Sequence, residues 1–239
     1  MELTVLGMNG PFPAPGGATS GYLLSVGDTR IQLDLGSGTL ASLTSLTAPE
    51  KLTALVFSHW HYDHCSDVLP LIFRLEALAE QPLHVYGPAD EDSLVRQAVK
   101  RCAKMVLHDI APGDRLVLGE AEVTVHQARH PVPAVMLRVT AGGRTLCYTG
   151  DTNTVDGLVE FAANADLLLA DGLFPEKVWG EEKPHLSAVL AAKLAADAGV
   201  RRLVITHFNP TIDPVGLVSE ARAIRPDVLR ARRGDVYIL

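Results

Sequence analysis

Along the chain, apolar and polar positions alternate first with the period of a strand and then with that of a helix. The segments "LTVLG", "GYLLSV" and "RIQLDLGSG" follow period two and are joined by Gly-rich turns, "GDT" being one, which predicts a β-meander. A short helical stretch near Thr39–Leu46, the apolar strand "LTALVFS", a helix from about Ser66 to Ala79 and the short strand "LHVYG" come next. "DEDSLVRQAVKRCAK" has acidic residues at its front and basic ones at its back, as the helix dipole favours, and predicts a further helix. From Arg115 to Thr149 period two returns in "RLVLGEAEVTVHQARH" and "AVMLRVTAGGRTLCYTG", with "AGG" turning a hairpin. The last third gives a helix near Thr154–Ala163, the strand "DLLLADG", the helix "SAVLAAKLAADAG" ending on Gly199, and the strand "RLVITHF". A helix near Asp213–Ala223 and the strand "VYIL" close the chain.

Each half is thus a meander followed by strands and helices. This pattern predicts an α/β chain whose two sheets pack face to face with helices outside each, a four-layer α/β/β/α sandwich. An internal echo agrees with it: "LTALVFSH" and "RRLVITHF" are both apolar strands that hand a histidine to the loop at their C-terminal end. A length of 239 residues is expected to form a single domain over 1–239.

Composition narrows the function. With 47% hydrophobic and 21% charged residues the chain can bury a sizeable core. A net charge of −7 argues against a surface built to track phosphate backbones. The basic C-terminal "RAIRPDVLRARR", with Arg222, Arg225, Arg230, Arg232 and Arg233, reads as a solvated helix face. Cys65, Cys102 and Cys147 lie far apart with no CxxC pair, which fits a reducing cytoplasm and neither a disulfide framework nor a cysteine zinc knuckle. The N-terminal "MELTVLGMNG" opens on a strand pattern rather than a leader, and no apolar span is long enough to cross a bilayer. A cytoplasmic location is therefore expected.

Candidate chemistry concentrates in "FSHWHYDHCSD", Phe57 to Asp67. Residues two apart on an extended segment point to the same side, so His59 and His61 can grip one ion. As the chain turns into the next helix, Asp63 and His64 swing away and can reach a second ion. Asp63 alone would be an ordinary helix N-cap, and a lone loop histidine an ordinary surface residue; four ligand types in six residues override that reading. Later ligands come from "RHPVP" (His130), "YTGDT" (Asp151) and "ITHFNP" (His207), each at or just beyond the end of an apolar strand, with Asp151 as a bridging carboxylate.

"HWHYDH" with these three later ligands resembles the metallo-β-lactamase superfamily, from "LTVLG" to "THFNP". The resemblance implies that His59, His61 and His130 hold one metal, that Asp63, His64 and His207 hold the other, and that Asp151 bridges both. It also implies the same sandwich fold, and it counts Asp63 among the catalytic residues. "HLSAVLAAKLAADAGVRRLVITHFNP" resembles the ribonuclease Z and phosphodiesterase branch, in which a histidine that is not a ligand precedes a small-residue helix; His185 matches it. Its acidic partner falls at Asp171, where ribonuclease Z typically has glutamate. In "DHCSD", Cys65 and Asp67 occupy a turn where most members have a glycine, a variant similar to that of bacterial proteins resembling atypical cyclic-nucleotide phosphodiesterases.

The expected cofactors are two Zn²⁺ ions, with Mn²⁺ or Fe compatible with the same ligands. The expected activity is hydrolysis of a small phosphodiester, with Asp63, His185 and Asp171 in catalytic roles. Ribonuclease Z carries a long Gly/Pro-rich arm between the counterparts of His130 and Asp151, and here one hairpin fills that interval, so a small nucleotide is expected rather than a folded RNA. The alternatives are a tRNA 3′-processing endonuclease, a lactonase, thioesterase or β-lactamase, and a scaffold without activity. No membrane partner is expected, and a homodimer stays open because a neighbour's arginines would add a basic surface. Asp34 is expected to fix a turn or orient a ligand histidine. His84, His108 and His126 read as structural, and Trp60, Tyr62, Phe174, Trp179 and Phe208 as packing residues near the ligands.

Overall fold

The computed structural model describes all 239 residues. The first half contains strands β1 (Glu2–Gly7), β2 (Gly21–Val26), β3 (Thr29–Leu35), β4 (Ala54–Val56), β5 (Leu83–Pro88) and β6 (Met105–Ile110). The second contains β7 (Arg115–Leu118), β8 (Ala121–Gln127), β9 (Val135–Ala141), β10 (Arg144–Tyr148), β11 (Leu167–Asp171), β12 (Leu203–Thr206) and β13 (Leu229–Arg230), followed by β14 (Val236–Ile238). They form two seven-stranded sheets, in the orders β14-β1-β2-β3-β4-β5-β6 and β13-β12-β11-β10-β9-β8-β7. In each sheet an antiparallel meander, β1 to β3 or β7 to β10, continues into parallel strands. The two halves repeat one plan, and β14 returns to pair with β1.

Helices α1 (Thr39–Thr44), α2 (Tyr62–Cys65), α3 (Val68–Leu78), α4 (Leu94–Arg101), α5 (Leu158–Ala162), α6 (Ala188–Asp197) and α7 (Pro214–Arg222) occupy the connections. The sandwich expected from the sequence is the one adopted. None of the helices is long and apolar enough to cross a membrane.

Period two explains the layers. On β4, Ala54 and Val56 enter a core of 49 residues with the inward residues of both sheets, and Leu55, with Phe57 just past the strand, enters a separate core of 19 residues. That second core holds Leu71 and Leu75 of α3 and Val95 and Val99 of α4, so it seals the helices onto the outer face of the first sheet. Each such leucine or valine contributes about 1.5–3 kcal/mol when fully buried.

Several expected boundaries shift. The predicted Ser66–Ala79 helix begins at Val68, and α2 forms a separate turn ahead of it. The helix expected from Thr154 begins at Leu158, because the Asn153 side chain takes the Thr154 N–H at 2.6 Å and Gly157 sits at φ 81°. The basic C-terminus is not a solvated helix face. Helix α7 stops at Arg222, Arg225 donates to the carbonyls of Ala195, Val200 and Arg201, and Arg233 donates to Gly16 O and Ser42 Oγ. These arginines tie loops together and are spent on the fold.

Candidate metal centre

The expected ligands converge at one edge of the sandwich, where strands end at their C-terminal side, as ligands do in open α/β sheets. The loop after β4 carries His59 and His61, and α2 carries Asp63 and His64. His130 follows β8, Asp151 follows β10 and His207 follows β12 at φ 61°.

The first loop is held from several directions. Ser58 N–H donates to Asp34 Oδ1 at 2.7 Å, Val135 N–H to Ser58 O at 2.9 Å, and the Trp60 indole to Pro88 O at 2.7 Å. The unusual "DHCSD" turn is accommodated by burial. Cys65 is buried with its thiol on Trp60 O, and Asp67 Oδ2 accepts the Leu40 N–H. On the opposite side, Gly10 passes directly over the His207 ring, and a Cβ there would lie 2.0 Å from it.

Two donor sets result, and they share Asp151: His59, His61, His130 and Asp151 form one, and Asp63, His64, Asp151 and His207 the other. In the first, His61 Nδ1 lies 3.1 Å from His59 Nε2 and 3.1 Å from His130 Nε2. His130 Nδ1 is 3.1 Å from Pro184 O, and a carbonyl only accepts, so that nitrogen carries the hydrogen and Nε2 keeps its lone pair. Ser58 Oγ gives its proton to Asp34, so it accepts from His59 Nδ1 at 3.0 Å and leaves His59 Nε2 bare in the same way.

In the second set His64 Nδ1 lies 2.7 Å from Asp34 Oδ2, and His207 Nδ1 lies 3.1 Å from Ser20 Oγ. Asp34 therefore does orient a ligand-type histidine. Asp63 Oδ2, His64 Nε2, Asp151 Oδ1 and His207 Nε2 are all buried without a hydrogen-bond partner. Four orphaned polar atoms facing one another are costly unless a cation satisfies them, so this donor set fits a divalent metal. Asp151 Oδ2 lies 3.5 Å from His59 Nε2 and its Oδ1 3.2 Å from His64 Nε2, one oxygen per set.

Electrostatics agree with ligation at four of the five histidines. Burial holds His59, His61 and His207 below the usual histidine range and lowers His130 to about 4, so their lone pairs are available at neutral pH. His64 is raised well above it, because Asp151, Asp63 and Asp34 together outweigh burial. Burial lifts Asp63 to about 6, while the surrounding histidines, His207 first, outweigh burial at Asp151 and hold it well below the usual carboxylate range.

Beside both sets, buried His185 places Nδ1 2.7 Å from Asp171 Oδ2 and 3.9 Å from Asp151 Oδ2. The shorter aspartate still reaches its histidine. Burial pulls His185 down, but Asp171 and then Asp151 outweigh it and raise it to about 9. Burial lifts Asp171 only to about 6, so at neutral pH the shared proton sits on the imidazole.

His84 and His108 lie in strands β5 and β6 and stack on each other, His108 stacks also on Tyr86, and both are absent from the two sets, as is His126. Trp60 and Phe208 are buried, and Trp179 donates to His185 O, as packing residues do. Tyr62 is the exception, 61% exposed beside the ligands. Sequence reasoning missed Ser20 and Pro184, whose contacts to His207 and His130 reach far along the chain and leave no local pattern.

A β-lactamase superfamily domain model matches residues 29–208. The chain is 34% identical over 214 residues to the probable metallo-hydrolase YhfI of Bacillus subtilis, covering 87% of each chain. The crystal structure of that metallo-β-lactamase fold protein superposes with a TM-score of 0.93 at 33% identity, covering 99% of both chains. Ribonuclease Z of Methanopyrus kandleri is 26% identical over 272 aligned positions, covering 98% of this chain and 96% of the relative. Human tRNase Z, short form, shares the fold with a TM-score of 0.82 at 21% identity, covering 100% of this chain and 99% of that one.

Proposed function

This chain belongs to the metallo-β-lactamase superfamily, and on that premise we propose that it is a dinuclear metal-dependent phosphodiesterase acting on a small cyclic nucleotide. The observation that carries this reading is the His185–Asp171 pair at 2.7 Å, set beside two donor groups that share Asp151. Two divalent cations, zinc foremost, with manganese or iron compatible, would supply Lewis-acid activation of water and neutralise charge on the phosphate.

The remaining work belongs to the chain's own side chains. Asp171 accepts from His185 Nδ1 and fixes the ring, which leaves Nε2 as the nitrogen that gives up a proton. Raised to about 9, His185 is protonated at neutral pH and delivers that proton to the departing alkoxide oxygen. Such general-acid assistance is typically worth about 10²–10⁴-fold. Ser58, Asp34, Ser20 and Pro184 O hold the ligand rings in place and so fix where the phosphate sits relative to His185.

Substrate size follows from what surrounds the site. Between His130 and Asp151 there is only the β9–β10 hairpin, and the net charge is −7, which supports a compact substrate over a folded RNA. A compact substrate loses nothing by this. A tRNA 3′-processing activity is the second reading, favoured by the match to ribonuclease Z over 98% of the chain. A panel assay on metal-loaded protein separates the possibilities. A cyclic nucleotide should be hydrolysed far better than precursor tRNA, a lactam, a lactone or a thioester. Efficient precursor processing without cyclic-nucleotide turnover would establish the second reading, and a lactone or thioester preference would remove phosphodiester chemistry altogether.

A further inference from the structure

Tyr62 is an aromatic side chain beside the ligands that the fold leaves uncovered. It is 61% exposed, directly between the ligand-type residues His61 and Asp63, and it lines a hollow of about 380 Å³ that begins at His61. Pro131 and Pro133, which follow His130, add apolar surface to the same hollow. Its volume falls in the range of small-ligand pockets, and its position lets a group attached to a bound phosphate enter it without leaving the donor sets.

Beside His61 and Ser93, the hollow presents two carboxylates. Asp90 and Asp92 both line it, and neither takes part in an ion pair; Asp90 Oδ1 accepts the Asp92 N–H at 3.1 Å, which leaves Oδ2 available. A carboxylate accepts hydrogen bonds and does not donate them. The occupant that fits must therefore present a flat face to Tyr62 and hydrogen-bond donors on its edge.

We propose that this hollow is a nucleobase subsite, in which the base stacks on Tyr62 and its donor edge meets Asp90 and Asp92. The inference rests on the small-nucleotide reading above and specifies its substrate. Guanine fits the chemistry best, since its N1–H and adjacent 2-amino group match the two oxygens of one carboxylate. Adenine offers a single amino group. Uracil sets its one N–H between two carbonyls that face the carboxylates unfavourably.

Calorimetric titration of the metal-loaded full chain with GMP, AMP, UMP and ribose 5-phosphate tests this without requiring turnover. The expected order of affinity is GMP, AMP, UMP, with ribose 5-phosphate weakest. Tyr62→Ala should cut the ratio of GMP to ribose 5-phosphate affinity by about 5- to 150-fold, the range of base–aromatic stacking, and Tyr62→Phe should keep it. Asp90→Asn, which adds a donor, should narrow the gap between GMP and UMP. Ribose 5-phosphate binding as tightly as GMP, or a ratio unchanged in Tyr62→Ala, would overturn the subsite. Turnover of methyl p-nitrophenyl phosphate, which has no base, judges the phosphodiesterase reading separately: its absence would count against that reading, while the affinity ratio alone decides the subsite.

Discussion

The two donor sets share Asp151 but are built differently. In the deep set, His64 and His207 are buried, each has its far nitrogen fixed by a side chain, Asp34 or Ser20, and four polar atoms have no partner within the chain. In the shallow set, His59 is buried and held by Ser58, but His61 and His130 are only half-buried, His130 is fixed by a backbone carbonyl, and His61 opens onto the hollow lined by Tyr62. The difference teaches that ligand identity alone does not set how a site behaves. The deep set is closed by its supporting hydrogen bonds, and the shallow one leaves His61 without such support where it opens to the hollow.

Removing the shared residue should have the largest effect. Asp151→Ala deletes a ligand from both sets, so hydrolysis should fall to background while the thermal transition stays near that of the wild type, because Asp151 belongs to neither apolar core. Turnover near the wild-type rate would take Asp151 out of the site.

The next effect sharpens the comparison by leaving both sets intact. His185→Ala should reduce turnover of a cyclic nucleotide by about 10²-fold or more, and of bis(p-nitrophenyl) phosphate much less, because nitrophenolate needs little protonation to leave. His185 is raised to about 9, so the acid is present at neutral pH and is lost as pH rises. Cyclic-nucleotide turnover should accordingly decline through about pH 9 in the wild type, and this decline should vanish in the variant. Equal losses on both substrates would make His185 a phosphate-positioning group.

A smaller effect separates deep from shallow. Ser20 Oγ lies 3.1 Å from His207 Nδ1 and touches no ring of the shallow set, so Ser20→Ala loosens the deep set alone. Chelator competition should show about 10- to 100-fold weaker binding of one of two ions, the other being little changed. Uniform weakening of both ions would contradict the division into two differently supported sets.

Much of this was legible in the sequence, for physical reasons. Meander strands such as β8 follow period two because one face is covered and the other open, parallel strands such as β11 and β12 read as continuous apolar runs because both faces are covered, and the ligands cluster because the loops after β4, β8, β10 and β12 meet at one edge. Strand β6 has no counterpart in the sequence reading, whose helix over "DEDSLVRQAVKRCAK" ends just before it. It is the last strand of its sheet, so "MVLHDI" buries only Met105 and Ile110 fully and shows no alternation. The two-residue strand β13 is too short for any periodicity. Asp34 stood out because it interrupts the apolar "LDLG", whereas the role of Ser20 depends on a contact with His207 made only in the folded chain. Tyr62 looked like a packing residue since its neighbours in sequence are buried or ligating; only the fold reveals that its ring faces water.

The central claim, that these seven side chains form two cation sites joined by Asp151, is tested most directly by elemental analysis of reconstituted and dialysed protein. The account predicts about two transition-metal ions per chain, because seven donors exceed the four of one closed tetrahedral site. A stoichiometry of one ion per chain, or only traces after reconstitution with zinc, manganese and iron in turn, would contradict it.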